Sequence, residues 1–410
     1  RILFGRTLGD SKHLIQLASD YVVDLSLGAS SSQAIVAQMT AEGGAPFWLR
    51  SGDDYRGANI LAPMVRVGTM PMRMLAAEYG ANIVYGEEHI DRRVIGCKRV
   101  VNEQLNTVDF IDKNDRLMFR TCEEERGRLV FQIGTADSVH ALQAAEVVCK
   151  DVAAIDINMG CPKHFSMSGG MGAKLLRQPE TVRDIMTTLR RNLPASQPVT
   201  CKIRLLETPA ETAELVRIIE STGVTALGIH GRFTAQRPRD PAHWALIKEA
   251  ISAVSKIPVI ANGDVFNFDD FQRIRDSTGA SAAMTARGAQ WNASIFRKQG
   301  LLPIAEVEKA YMQQCIIWDN PLANCKYVLK EMLLHDKGLE NPVGKAINQS
   351  KTLLDLAKVL DLEEFYVGEL KRREAGVKPS RRKRPPSPFA DDEKVVHSKV
   401  ARDENTNNEI

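Results

Sequence analysis

The stretch Ile155-Asp156-Ile157-Asn158-Met159-Gly160-Cys161-Pro162-Lys163 decides how the chain is read. Its first residues have the apolar character of a buried strand. The run closes in Asn-Met-Gly and then presents a cysteine followed by proline. Strand ends are where barrel-type α/β enzymes put their chemistry, because a rigid sheet holds the loop that follows. A thiol there serves as nucleophile, metal ligand or proton donor, and the rest of the chain has to choose among these roles.

Outward from this run the same unit repeats. From residue 60 on, short β-branched apolar runs alternate with longer helical patterns. Strands are expected over 60–64, 83–86, 129–134, 153–158, 199–204, 226–230, 259–262 and 282–287. Amphipathic helices are expected over 138–149, 181–191, 211–221 and 241–253. Segment 88–128 breaks the rhythm: Val100-Val101 and Leu117-Met118-Phe119, set among Asn and Asp turn residues, predict a hairpin insertion. Eight strands with helical spacers fit a (β/α)₈ TIM barrel of roughly 250 residues. A doubly wound open sheet would place a glycine-rich turn after its first strand. Here that strand ends in Ala62-Pro63-Met64, which favours the barrel.

From Pro303 the β-branched runs stop. Apolar spacing over 304–317, 327–334 and 353–360, broken at Asn341-Pro342 and Gly344, predicts a small all-helical domain. Beyond residue 370 the chain turns basic, then polar, without periodicity. The expected organisation is a poorly ordered extension over 1–57, a barrel over 58–302, a helical domain over 303–370 and a disordered basic tail over 371–410, so both termini are expected to be disordered. Residues 1–50 carry few acids, but no sustained Arg-rich amphipathic pattern marks an organelle presequence.

Composition narrows the function classes. The formal net charge of +3 argues against a generally polybasic protein, so any affinity for nucleic acid must come from local clusters. The seven cysteines lie at 97, 122, 149, 161, 201, 315 and 325, with no C-x-x-C pair. That points to reduced thiols in an intracellular protein and to neither a disulfide framework nor a structural metal. No apolar run is long enough to span a bilayer, so no membrane association is expected.

Polar residues close successive strands: Gln132, then Asn158 with Cys161, Lys202 with Arg204, His230, Asn262-Gly263-Asp264 and Arg287-Gly288. Each alone is more often a turn residue, a cap or a satisfied core group. Together, in a barrel, they converge on one mouth. The last two strand ends join glycines, whose N–H groups approach an anion closely, to the guanidinium of Arg287, and barrels commonly bind phosphate there. Lys202, flanked by apolar residues, calls for an anionic or electron-rich partner. Gln132 can meet a flat ring edge with donor and acceptor together. A phosphate tail on a polar-edged ring describes flavin mononucleotide (FMN). Beside a flavin, Cys161 gains the role of proton donor to one carbon of a double bond whose other carbon takes hydride. The bland reading, a buried inert cysteine, is weakened by its place in an exposed turn. The run Gly169-Gly170-Met171-Gly172-Ala173 is either a mobile segment over the site or a turn into a helix at 173–176.

At this point the chain resembles the tRNA-dihydrouridine synthase family. The carriers are Ile60 to Met64 with Val65-Arg66-Val67-Gly68, Asp156 to Lys163, Cys201 to Arg204, Gly228 to Arg232 and Val259 to Asp264, in order, over roughly residues 58–370. The most specific piece is Asn158 to Cys161 with Pro162-Lys163, and the likeness is greatest to the eukaryotic branch that acts on uridine 20 of the tRNA D-loop. The resemblance implies a flavoprotein oxidoreductase of tRNA processing, with FMN in the barrel, NADPH as reductant and a helical domain that grips tRNA. It implies that Cys161 protonates C5 of uracil while hydride goes to C6. It implies FMN contacts from Pro63, Met64, Val65, Gln132, Lys202, His230, Asn262, Gly263, Asp264, Ala286 and Arg287, with Asn158 orienting flavin or uracil. A monomer in the cytoplasm, with nuclear import as an added option, completes the expectation. Animal members of the branch often carry a double-stranded-RNA-binding domain after the helical domain. Here a polar tail is read instead, so tRNA affinity is expected to rest on barrel, helical domain and basic segment.

Residues 371–386 hold eight Lys or Arg against one Glu, which fits a tRNA-binding arm, an import signal or a solubilising tail equally. Arg232, Arg237 and Arg239, near Phe233 and Trp244, are candidates for contact with RNA backbone or for surface ion pairs. Three rivals remain: a flavin barrel acting on a free pyrimidine, a phosphate-binding lyase or isomerase without flavin, and a non-catalytic RNA-binding scaffold. A flavin absorption spectrum separates the second, and a Cys161→Ala variant the third.

Overall fold

The computed structural model describes residues 48–379 apart from Lys337. The expected extension up to residue 47 and the tail from residue 380 lie outside these described residues. Within them, eight parallel strands close into a barrel: β1 (Asn59–Leu61), β2 (Ile83–Ile90), β6 (Leu129–Gly134), β7 (Ala154–Met159), β8 (Val199–Leu205), β9 (Ala226–Phe233), β10 (Val259–Asn262) and β11 (Ala282–Thr285), in ring order β1-β11-β10-β9-β8-β7-β6-β2. The barrel strands are nearly all buried, with helices packed around them, which is why they read as unbroken apolar runs in the sequence.

The segment expected to be a hairpin is instead a three-stranded antiparallel sheet of β3 (Lys98–Asn102), β4 (Thr107–Ile111) and β5 (Leu117–Thr121). The difference begins in β2, which runs on to Ile90 through a register shift between Tyr85 and Glu88. The helix Met70–Glu78 anchors this insertion. Its Arg73 is 1% exposed and pairs through two nitrogens with the fully buried Glu125, while two further donors reach the carbonyls of Gly68 and Arg120. Four of its five N–H donors thus find acceptors, which is what makes the buried charge tolerable.

Two expected boundaries move. Residues 48–57 belong to the barrel: Leu49 N–H donates to the Gly127 carbonyl at 2.7 Å, and Tyr55, completely buried, closes its floor against Tyr85 and Thr200. At the other end, five helices follow the barrel: Ile304–Ile317, Leu322–Asp336, Pro342–Gln349, Leu353–Val359 and Glu363–Glu374. The last one runs past residue 370, so Lys371, Arg372 and Arg373 are helical and not part of a tail. Arg372 pairs with Glu369 at 2.6 Å, and Arg373 caps the Ile316 carbonyl.

Candidate active site

The C-terminal ends of strands β2, β6, β7, β8, β9 and β10 carry a run of polar residues, and the strand registers show how it is assembled. Glu88 lies opposite Gln132, Gln132 opposite Asp156, Asn158 opposite Lys202, Arg204 opposite His230, and His230 opposite Asn262. Asn262 lies opposite Met284, and Leu61 opposite Thr285, which closes the ring. Pro63, Met64 and Val65 follow β1, beside Ala286 and Arg287 after β11. Parallel pairing, shifted in register only in the β2–β6 and β8–β9 pairs, brings residues more than two hundred positions apart to one rim.

On one side of the rim lies a cavity of about 160 Å³ lined by His230, Asn262, Gly263, Asp264, Ala286 and Arg287 together with Arg204, Arg232 and Arg237. Asp264 organises it from a left-handed backbone conformation (φ 56°) that Asp tolerates. Its carboxylate takes hydrogen bonds from Arg232, from Arg287 at 2.7 Å and from the Ala242 N–H at 2.7 Å. Gly263 sits at φ 131°, and a Cβ there would lie 2.7 Å from that of Ala242. Only glycine lets the backbone sit this close. Asn262 is held by its donation to the Met284 carbonyl at 2.9 Å. One carboxylate faces several guanidiniums, so the cavity keeps unspent positive charge, and its size and charge suit a phosphate ester.

His230 is kept neutral, its pKa well below the ordinary value, first by burial and then by Lys202, Arg204, Arg232 and Arg287. Arg232 stands 3.2 Å from its Nε2. A guanidinium can only donate, so Nε2 accepts and the proton sits on Nδ1. Arg232 itself is 4% exposed and committed to this cavity, so it is not an RNA contact, and Arg237 caps the carbonyls of Thr234 and Ala235. Arg239, exposed, makes no ion pair or hydrogen bond among the described residues.

On the other side stands Cys161, half-buried. The Asn158 Oδ1 accepts from the N–H groups of Gly160 (2.9 Å) and Cys161 (3.1 Å), and Arg204 Nε donates to the Gly160 carbonyl at 2.7 Å. Strand β8 therefore holds the turn that presents the thiol, and the same Arg204 lines the phosphate-sized cavity. The glycine run after the cysteine follows the short helix His164–Ser168 and leads into the 3₁₀ helix Gly172–Arg177. The Cys161 thiol pKa is raised by burial and then by Glu88, so the group is a thiol at neutral pH. Lys202 is pulled down to about 8 by burial and by Arg204, against the pull of Asp156 and Cys161.

Glu88 was not expected at the site. It falls in the segment read as an insertion, beyond the expected end of its strand. It lies beside Asn158 and Cys161; its own pKa is raised by burial, and neither carboxylate oxygen finds a well-formed hydrogen bond. No signal in the sequence revealed it, because the irregularity after Tyr85 turns the strand's facing.

This is a (β/α)₈-barrel enzyme scaffold with an anion cradle and a protonated thiol at one mouth. The sequence model for dihydrouridine synthase (Dus) matches residues 60–356, and the chain belongs to that family. It is similar to the tRNA-dihydrouridine(20) synthases (NAD(P)+) of Schizosaccharomyces pombe, 36% identical over 76% of this chain and 66% of the relative, and of Saccharomyces cerevisiae, 36% identical over 68% and 78%. A Mus musculus tRNA-dihydrouridine(20a/20b) synthase-like protein is 31% identical over 58% of this chain and 68% of its own length. The chain thus spans about two thirds of the first of these relatives and more than three quarters of the second.

Proposed function

We propose that the chain is an FMN-dependent tRNA-dihydrouridine synthase that reduces the C5=C6 bond of a D-loop uridine, at position 20, with NADPH as the source of electrons. The observation that carries this reading is a cysteine at the barrel mouth, its thiol pKa raised by burial and Glu88, across from a cationic cavity. FMN, when bound, supplies the hydride for C6. The chain's residues do the rest. Arg287, Arg204 and the backbone at Gly263 hold the phosphate end. Lys202, without a carboxylate in ion-pair contact among the described residues, places its ammonium toward the electron-rich ring. His230 offers an Nδ1–H donor.

Cys161 gives its proton to C5. Burial and Glu88 keep that proton in place until it is needed. The thiolate left behind lies in the field of Lys202 and Arg204, each of which is held up in turn by Cys161. A loop uridine is a suitable target, since leaving its stack costs only a few kcal/mol.

The test is an absorption spectrum of the purified protein, followed by Cys161→Ala. The variant is expected to retain FMN and to be reduced by NADPH, but to form dihydrouridine in tRNA ~10²–10⁴-fold more slowly, the usual cost of losing a general acid. Turnover at the wild-type rate refutes the role of the thiol, and protein that neither holds nor binds FMN refutes the flavin.

A further inference from the structure

Gln132 and Asp156 face each other inside the barrel, 2% and 1% exposed. The Gln132 amide nitrogen donates to one Asp156 oxygen at 2.8 Å, and the Thr200 hydroxyl donates to the other at 2.6 Å. An ionised carboxylate accepts and cannot donate. The amide of Gln132 is therefore locked with its nitrogen toward Asp156. Among the described residues no group donates to its Oε1, which is left to the ligand as an acceptor. Without Asp156 the two ends of the amide would be interchangeable.

We propose that Asp156 is a positioning residue: it fixes the Gln132 amide so that the site offers an acceptor, and so selects a cofactor ring that presents an imide N–H at that edge. This rests on the flavin reading above and adds a specificity determinant to it. It also accounts for a carboxylate inside a barrel core, where desolvation is costly. The groups around Asp156 are Tyr55 from the floor, Tyr85 of β2, Gln132 of β6, and Thr200, Cys201 and Lys202 of β8. Burial pushes Asp156 up to about 6, against the two hydrogen bonds and Lys202. Tyr55, Tyr85 and Cys201 are pushed upward and Lys202 holds near 8, while Glu88, opposite Gln132, is also raised by burial, so the part of the pH dependence that belongs to Asp156 is the part lost in Asp156→Asn. When protonated, Asp156 becomes a donor, and the lock opens.

The experiment measures binding by quenching of flavin fluorescence, with riboflavin, N3-methylriboflavin and FMN as probes. Riboflavin carries no phosphate to titrate. Wild-type protein is expected to bind riboflavin about tenfold more weakly at pH 5 than at pH 7, as one group titrating near 6 requires. At pH 7 it is expected to discriminate against the N3-methyl compound by ~30-fold or more, since the acceptor then faces a methyl group and stays unpaired. Asp156→Asn should bind FMN about tenfold more weakly and lose both the pH dependence and most of the discrimination. The wild-type measurements stand even if the variant does not fold. Riboflavin binding that is equal at the two pH values, or equal to that of the N3-methyl compound, overturns the role of Asp156 while leaving the flavin intact. Absence of FMN binding at pH 7 overturns the flavin reading itself.

Discussion

At the scale of single residues, the site is governed by which side chain keeps a proton. Cys161 is raised by burial and by the negative charge of Glu88. Glu88 is itself raised by burial, so part of its effect is that of a neutral neighbour. Replacing it by glutamine removes the remaining charge and leaves the shape. The Cys161 thiol pKa should then fall in Glu88→Gln, because the negative neighbour that holds its proton is gone. Two readouts follow from the sign. Alkylation of Cys161 by iodoacetamide near pH 8 should speed up severalfold, because more thiolate is present. The alkaline limb of dihydrouridine formation should move to lower pH, because the proton donor is lost sooner. An unchanged alkylation profile separates Glu88 from the thiol. Cys161, Lys202, His230 and Arg287 were legible in the sequence because each stands at the end of an apolar run. Glu88 was not, because its run is interrupted by charged residues and a change of facing that one-dimensional periodicity does not record. Asp156 was visible as part of the quoted motif, but its role depends on the neighbouring strand that pairs with it.

At the scale of elements, the barrel was readable because its strands are buried on both faces and bounded by turn residues. The inserted sheet was harder, since its edge strand Lys98–Asn102 is largely exposed and has no apolar alternation to announce it. The reach of the last helix to Glu374 was masked by composition: a basic final turn suits a helix C-terminus as well as a solvated tail. The turn that carries the thiol shows how narrowly an element can be specified. The Cys161 carbonyl accepts from the Ala173 N–H at 3.0 Å, closing a loop of which Gly172 is the tightest point. Gly172 has φ 59°, and a Cβ there would lie 2.6 Å from that same carbonyl and closer still to the Ser166 hydroxyl. Gly172→Ala must therefore displace the turn that carries Cys161. A displacement of about 1 Å at a reacting group costs ~10²-fold in rate. The expected variant therefore binds FMN as the wild type does, accepts electrons from NADPH, and forms dihydrouridine ~10²-fold more slowly. Loss of FMN in step with activity would show that the loop and the cradle are not separate units.

At the scale of the whole molecule, the helical domain grips two segments of the barrel, the one that follows β1 and the one that follows β11. Directly after Pro63-Met64-Val65, Arg66 lies in the left-handed region (φ 68°), and its guanidinium rests 4.0 Å from the ring centre of Tyr327. The Arg66 carbonyl accepts from Asn324 at 2.6 Å, and Thr69 donates to the same side chain at 3.0 Å. Beyond Ala286 and Arg287, Trp291 stacks on His335 with centroids 3.9 Å apart, and Gln290 donates to Glu331 at 2.7 Å. Asn324, Tyr327, Glu331 and His335 all belong to the helix Leu322–Asp336, at helical spacing along it. One helix thus holds both loops, though none of its residues lines the cationic cavity. Removing part of this grip should weaken FMN binding at a distance. In Tyr327→Ala combined with Asn324→Ala, the lost cation–π contact is worth about 0.5–1 kcal/mol and the lost hydrogen bonds a similar amount. That converts to roughly a tenfold rise in the FMN dissociation constant. The barrel should remain folded, with an unchanged far-ultraviolet dichroism spectrum, since its own core of strands and surrounding helices is untouched. Arg66→Ala should reproduce only the cation–π part of the loss, since the Arg66 carbonyl still accepts from Asn324, and joining it to Tyr327→Ala should add little, because residues sharing one contact are not additive. If the double variant binds FMN with wild-type affinity, the barrel positions its cofactor loops without the helix, and the helical domain is left with the substrate alone.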